Sequence, residues 1–258
     1  YYFKILGFFY ALFLHELLKT ISLLLIAFRP YINKITLPSR REFAHIFKDL
    51  FSLGIGIYIV KILIINWEKL GTNLLGFVGD AEIIGIYSFA LLYAHKLMHV
   101  SDSITDVNLP VFSEKFVKDI KSFKDTFAHN FNRIYAMIIF FAMSAIYWAS
   151  EIITVLIGSN KYDASIPLLI PMVFSFVFFS MINILKSSLA IPAKLIKEMI
   201  LGFFLMFLAT LAFYLLGRNL INPLMAMSYA MVIGSGIGFT YLVVFLQKKL
   251  QFGFISYS

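Results

Sequence analysis

Seven apolar stretches, each near or above the length that crosses a bilayer, alternate with loops whose basic charge falls on every second one. They cover residues 5–28, 51–78, 83–109, 134–157, 167–185, 199–216 and 223–246. A hydrocarbon core of about 30 Å takes about 20 helical residues to cross. Backbone amides and carbonyls find no partner in lipid, so such stretches must be helices. The pattern predicts an all-α integral membrane protein with about seven transmembrane helices.

Loop 29–50 holds Arg29, Lys34, Arg40, Arg41 and Lys48, and loop 110–133 holds Lys115, Lys118, Lys121, Lys124 and Arg133. Lys186, Lys194 and Lys197 follow in the connection 186–197, and Lys248 and Lys249 begin the tail. Fifteen of the 22 basic residues thus fall on one side, against Lys4, Lys161 and Arg218 on the other. The positive-inside rule puts the fifteen in the cytoplasm, so the chain starts outside and ends inside the cell membrane.

Composition agrees, with 60% hydrophobic and 14% charged residues. The net charge of +8 sits beside membrane spans, which points to anionic lipid headgroups rather than nucleic acid. With no cysteine there is no disulfide framework, thiol chemistry or Cys-ligated metal. The first stretch has no basic leader and no small-residue cleavage site, so it is not a signal peptide. The odd helix count and the lack of an initiator Met read as a fragment of a longer protein.

Ser39 and Glu42 have the spacing of a capping box, with Ser39 accepting from the Glu42 amide. Phe43, Ile46, Phe47, Leu50 and Phe51 then mark one apolar helical face, predicting an interfacial helix that leads into the second span. After Pro110, a stripe of Phe116, Ile120, Phe123 and Phe127 predicts another such helix. Pro167 and Pro223 suit the first turns of helices, whereas Pro171 lies deeper and should kink its span unless the freed carbonyl finds a partner. Gly234, Gly236 and Gly238 in the last stretch suit close helix packing.

Charges inside spans are costly and therefore mark candidate functional residues. His95, His99, Asp102 and Asp106 are spaced to share one helical face, which must point into protein or a water-filled cavity. Asp106 lies near the interface, where plain solvation explains it as well. Lys61 is expected at a depth similar to His99, with Glu68 on its own face two turns nearer the outer side. Glu16 and Lys19 are spaced as a self-neutralising pair, and Lys96 is a candidate to snorkel.

Enzymatic motifs are weak. His15 and Glu16 lack the second histidine of a zinc-protease helix, and His95 with His99 has no evident third ligand. Asp102 and Asp106 alone are a poor match to a Mg²⁺ motif. The last span has no lysine for a retinal Schiff base, and receptor signatures are missing. The outer loops are short, leaving no room for a soluble catalytic domain. No cofactor is implied, and the chain does not read as an enzyme.

The segment LGTNLLGFVGDAEIIGIYSFALLYA at residues 70–94, closed by LPVFSE at 109–114, resembles polysaccharide flippases of the O-antigen type. These belong to the multidrug/oligosaccharidyl-lipid/polysaccharide exporter superfamily. Glu68 and Lys69 stand where that family has an acidic-basic pair, and VLIGSNKYDASIPLL at 155–169 resembles its loop into the next helix. The resemblance runs from about residue 40 to the end and implies two six-helix lobes around a cavity. Residues 1–28 would be the last helix of the N-terminal lobe, 29–50 the cytoplasmic linker, and 51–258 the six-helix C-terminal lobe.

It also implies flipping of a polyprenyl-diphosphate-linked glycan, with the missing N-terminal lobe as structural partner and cationic residues receiving the diphosphate. Our assignments, made from the residues, are Lys61, His95 and His99 as substrate-binding and Asp102 or Glu68 as ion-coupling. A cation-coupled drug exporter is the main alternative; a membrane glycan polymerase or ligase, or a non-transporting scaffold, fits less well.

Overall fold

The structure, a computed structural model, describes residues 2–28, 39–77, 79–157 and 160–251. Among these there is no strand. The helices are α1 (Tyr2–Phe28), α2 (Arg40–Gly76), α3 (Ala81–Lys118), α4 (Ile120–Tyr147), α5 (Ala149–Ile157), α6 (Ile166–Leu185), α7 (Ile196–Gly217) and α8 (Pro223–Leu250). A 3₁₀ turn, Asn160–Ser165, leads into α6, and a π-turn, Lys186–Ala190, ends it. Among the described residues five helical segments are long and apolar enough to cross a membrane, or six if the pair α4–α5, bent by 59°, is one span. The protein is therefore an all-α integral membrane protein. The first apolar stretch of the sequence forms the 27-residue α1.

The chain divides into two compact units, Tyr1–Phe51 and Ser52–Ser258. In the first, Lys19 Nζ lies 3.6 Å from Glu16 Oε2, the intrahelical pair that the spacing predicts. The expected capping box forms: the Ser39 amide donates to Glu42 Oε2 (2.8 Å) and the Glu42 amide to Ser39 Oγ (3.4 Å). Phe43, Phe47 and Phe51 stack in succession along the helix. The apolar face of residues 43–51 lies on the first turns of α2, which runs on unbroken for 37 residues. Arg29 and Lys34 of the predicted linker lie outside the described residues.

In the second unit α6 is the hub. Of its most apolar window, 83% is buried, and it packs against α3, α4 and α8. A helix that is hydrophobic all round belongs in such a position. Pro167 and Pro223 take first-turn positions as predicted, and α6 continues through Pro171. Trp67 of α2 is fully buried against α6, stacked on Phe179 at 4.9 Å and edge-on to Phe176. Its indole Nε1 donates to Thr210 Oγ1 of α7 (2.9 Å), which donates in turn to the Met206 carbonyl.

The prediction for residues 110–133 needs correction. Helix α3 continues past Pro110 to Lys118, and the break falls at Asp119, whose Oδ1 accepts from the Lys121 and Ser122 amides (both 3.0 Å). The supposed single stripe is thus split across two helices. Phe112 and Phe116 on α3 meet Phe123 on α4 edge-on, at 5.8 and 5.2 Å. Lys115 Nζ reaches Thr126 Oγ1 across the same junction (2.6 Å).

The pairing of α7 with α8 rests on glycine. A Cβ at Gly234 would collide with Thr210 Oγ1 and stand 2.8 Å from the Met206 carbonyl and 2.9 Å from the Thr210 amide, backbone atoms that cannot turn aside. At Gly238 it would meet Met206 Cβ at 2.9 Å, whereas at Gly236 the nearest atom is 3.7 Å away. Gly234→Ala is therefore expected to destabilise the protein by about 1–3 kcal/mol, as overpacking does. Gly236→Ala should be close to neutral. Thermal unfolding in detergent checks both, and equal losses would show that α7–α8 packing does not depend on the small residue.

Candidate functional site

Helix α3 carries the predicted polar face, and the structure supplies its neighbours. His95 Nε2 lies 3.5 Å from Glu68 Oε1 of α2, with the two side chains 31% and 25% exposed. The His95 ring is held edge-on by Phe176 of α6 at 5.4 Å and by His99 at 5.8 Å. One turn further along, Asp102 Oδ1 accepts from Asn183 Nδ2 of α6 at 2.6 Å. Four of the five predicted site residues, Glu68, His95, His99 and Asp102, thus form a continuous stripe.

The helices fix its geometry. Glu68 of α2 meets His95 while Gly71, further along α2, faces Tyr87, earlier on α3, so the two helices run antiparallel. Lys61 lies seven residues before Glu68, and Asp102 lies seven after His95. At 1.5 Å per residue both are about 10.5 Å from the Glu68–His95 pair, in the same direction. Lys61 is therefore level with Asp102, one turn nearer the end rich in lysine than the depth of His99 expected from sequence. It is exposed on the Glu68 face of α2, and none of the described contacts joins it to either imidazole.

Helices α3 and α6 run parallel, because the His95–Phe176 and Asp102–Asn183 contacts keep the same offset. Ser180 lies between Phe176 and Asn183 on that face of α6, level with His99, and its buried Oγ has no partner. Sequence reasoning missed Asn183. The signal was present, since Phe176, Ser180, Asn183 and Ser187 recur at helical spacing through a strongly apolar span.

Chemically, the stripe offers two imidazoles that become cationic on protonation and two carboxylates, one beside an imidazole and one held by an amide. Such a set can receive an anion or exchange a cation. Among the described residues no group of three or more His, Cys, Asp and Glu side chains is arranged to hold a metal ion. A cleft of about 290 Å³ lies between α6 and α8, lined by Pro171, Phe174, Phe178 and Tyr229 among others.

The Asn183–Asp102 bond joins a buried amide to a half-exposed carboxylate, and hydrogen bonds to charged groups are worth about 1.5–3 kcal/mol. Asn183→Leu should destabilise the protein, and adding Asp102→Leu should recover part of the loss. A double-mutant cycle on thermal unfolding measures the coupling; strict additivity would show that the two residues do not interact.

Compared with known proteins, residues 5–167, more than half of the chain, match the family described as polysaccharide biosynthesis protein. No curated protein and no solved structure matches it.

Proposed function

This chain belongs to the polysaccharide biosynthesis protein family, and from that premise we propose that it is a transporter, not an enzyme, that flips a polyprenyl-diphosphate-linked glycan across the cytoplasmic membrane. The observation that carries the proposal is the stripe Glu68–His95–His99–Asp102, placed within a membrane span and left accessible along one flank. Charge of that kind is too costly to face hydrocarbon, so the flank borders water, substrate or another lobe. In this proposal residues 51–258 are the C-terminal lobe, α1 is the last helix of an N-terminal lobe, and the stripe faces the transported substrate.

Each residue then has a role. His95 and His99 neutralise diphosphate oxygens, and Lys61, about 10.5 Å further along, holds the charge as the headgroup moves. Asp102 or Glu68 takes up H⁺ or Na⁺ and returns the carrier to its starting state by alternating access. The two carboxylates equally favour a cation-coupled drug exporter of the same superfamily; the family match supports the glycan carrier.

Lys61→Gln is expected to abolish surface glycan in a complementation assay at normal protein level, and Lys61→Arg to retain part of it. Normal glycan with Lys61→Gln would remove Lys61 from the mechanism. In the proposed orientation, a cysteine replacing Lys161 should react with an impermeant thiol reagent in intact cells, and one replacing Lys121 should not. Labelling at position 121 would reverse the orientation.

A further inference from the structure

We propose that Glu68 is the resting occupant of the His95–His99 anion site, a specificity-determining residue that the substrate must displace and that keeps bulk phospholipid out. This rests on the preceding assignment of the two histidines to diphosphate binding.

Three observations lead to it. The Glu68–His95 separation of 3.5 Å is an ion-pair distance well beyond the 2.7–2.9 Å of a strong charge-assisted hydrogen bond. The carboxylate therefore stands ready to neutralise a protonated imidazole without being locked to it. The His95 ring, in contrast, is braced by Phe176 and His99. Finally, both members of the pair are accessible, at 31% and 25%, so an incoming anion can reach the histidine while Glu68 swings out. A braced imidazole that is cationic when protonated, a loosely held carboxylate and an open approach make an exchangeable site.

The chemistry of exchange supplies the selectivity. An integral membrane protein is surrounded by phosphodiester headgroups carrying a single negative charge, and a vacant pair of protonated imidazoles would collect them. With Glu68 in place, a monoanion replaces one negative charge by another and gains little. A diphosphate brings more than one negative charge and engages both rings, so it wins the exchange. Discrimination comes from raising the threshold against the wrong ligand as much as from attracting the right one.

The test is binding to the protein in phosphatidylcholine nanodiscs, with inorganic pyrophosphate and a short-chain phosphatidylglycerol as probes. The measurement is repeated at decreasing pH, because only a protonated imidazole attracts an anion by charge. Glu68→Gln should bind pyrophosphate more tightly, by roughly tenfold, and should newly bind phosphatidylglycerol. Glu68→Asp, which retains the charge but draws it back by one methylene, should fall between the wild type and the Gln variant. His95→Gln should lose pyrophosphate binding.

Equal or weaker pyrophosphate binding by Glu68→Gln, with loss in His95→Gln, would overturn the proposal and leave the diphosphate assignment standing. Binding that His95→Gln leaves unchanged would overturn both, as would absence of binding in the wild type and in Glu68→Gln.

Discussion

A polar group carried into a bilayer is costly unless it finds a partner inside the protein, and in this bundle several such groups bond from one helix to another. The indole of Trp67, fully buried, reaches α7 through Thr210 and so ties the second helix to the seventh. The Tyr93 hydroxyl donates to the Ala145 carbonyl (2.8 Å), linking α3 to α4 just before the bend at Trp148. Asn183 of the buried α6 spends its amide on Asp102. Apolar packing then fills in around these bonds, with Phe176 and Phe179 serving both Trp67 and the hub helix.

The same requirement separates the candidate site from the core. Along α3, buried Ser101 and Thr105 bond to carbonyls of their own helix, as residues with only structural work do. His95, His99 and Asp102 lie at the edge of that buried face, where their partners come from other helices or the flank is open. Satisfied polar groups hold helices together, while partly satisfied ones at an accessible edge remain available for exchange. Glu68 lies between the two cases, paired but loosely.

Much of this was legible in the sequence because it depends on helical periodicity. The single face of His95, His99 and Asp102, the capping box of Ser39 and Glu42, the first-turn prolines and the close approach at Gly234 and Gly238 all follow from spacing and steric size. The end of α3 did not. Hydropathy falls at Pro110, but a helix ends where its backbone finds other partners, and that happens at Asp119. Asn183 escaped notice for the opposite reason: its apolar surroundings hid it, and its partner is 81 residues away in sequence. The depth of Lys61 depended on the α2–α3 register, which the Glu68–His95 contact sets and hydropathy does not.

The central claim is that the α3 stripe meets the glycan carrier rather than bulk lipid. Photo-crosslinking tests it most directly, with a photoreactive residue placed at His99 and, as a control, at Leu208, an exposed apolar position on α7. Irradiation in cells making the glycan should trap polyprenyl-diphosphate-linked sugar at position 99 and ordinary phospholipid at position 208. Phospholipid alone at both positions would contradict the account.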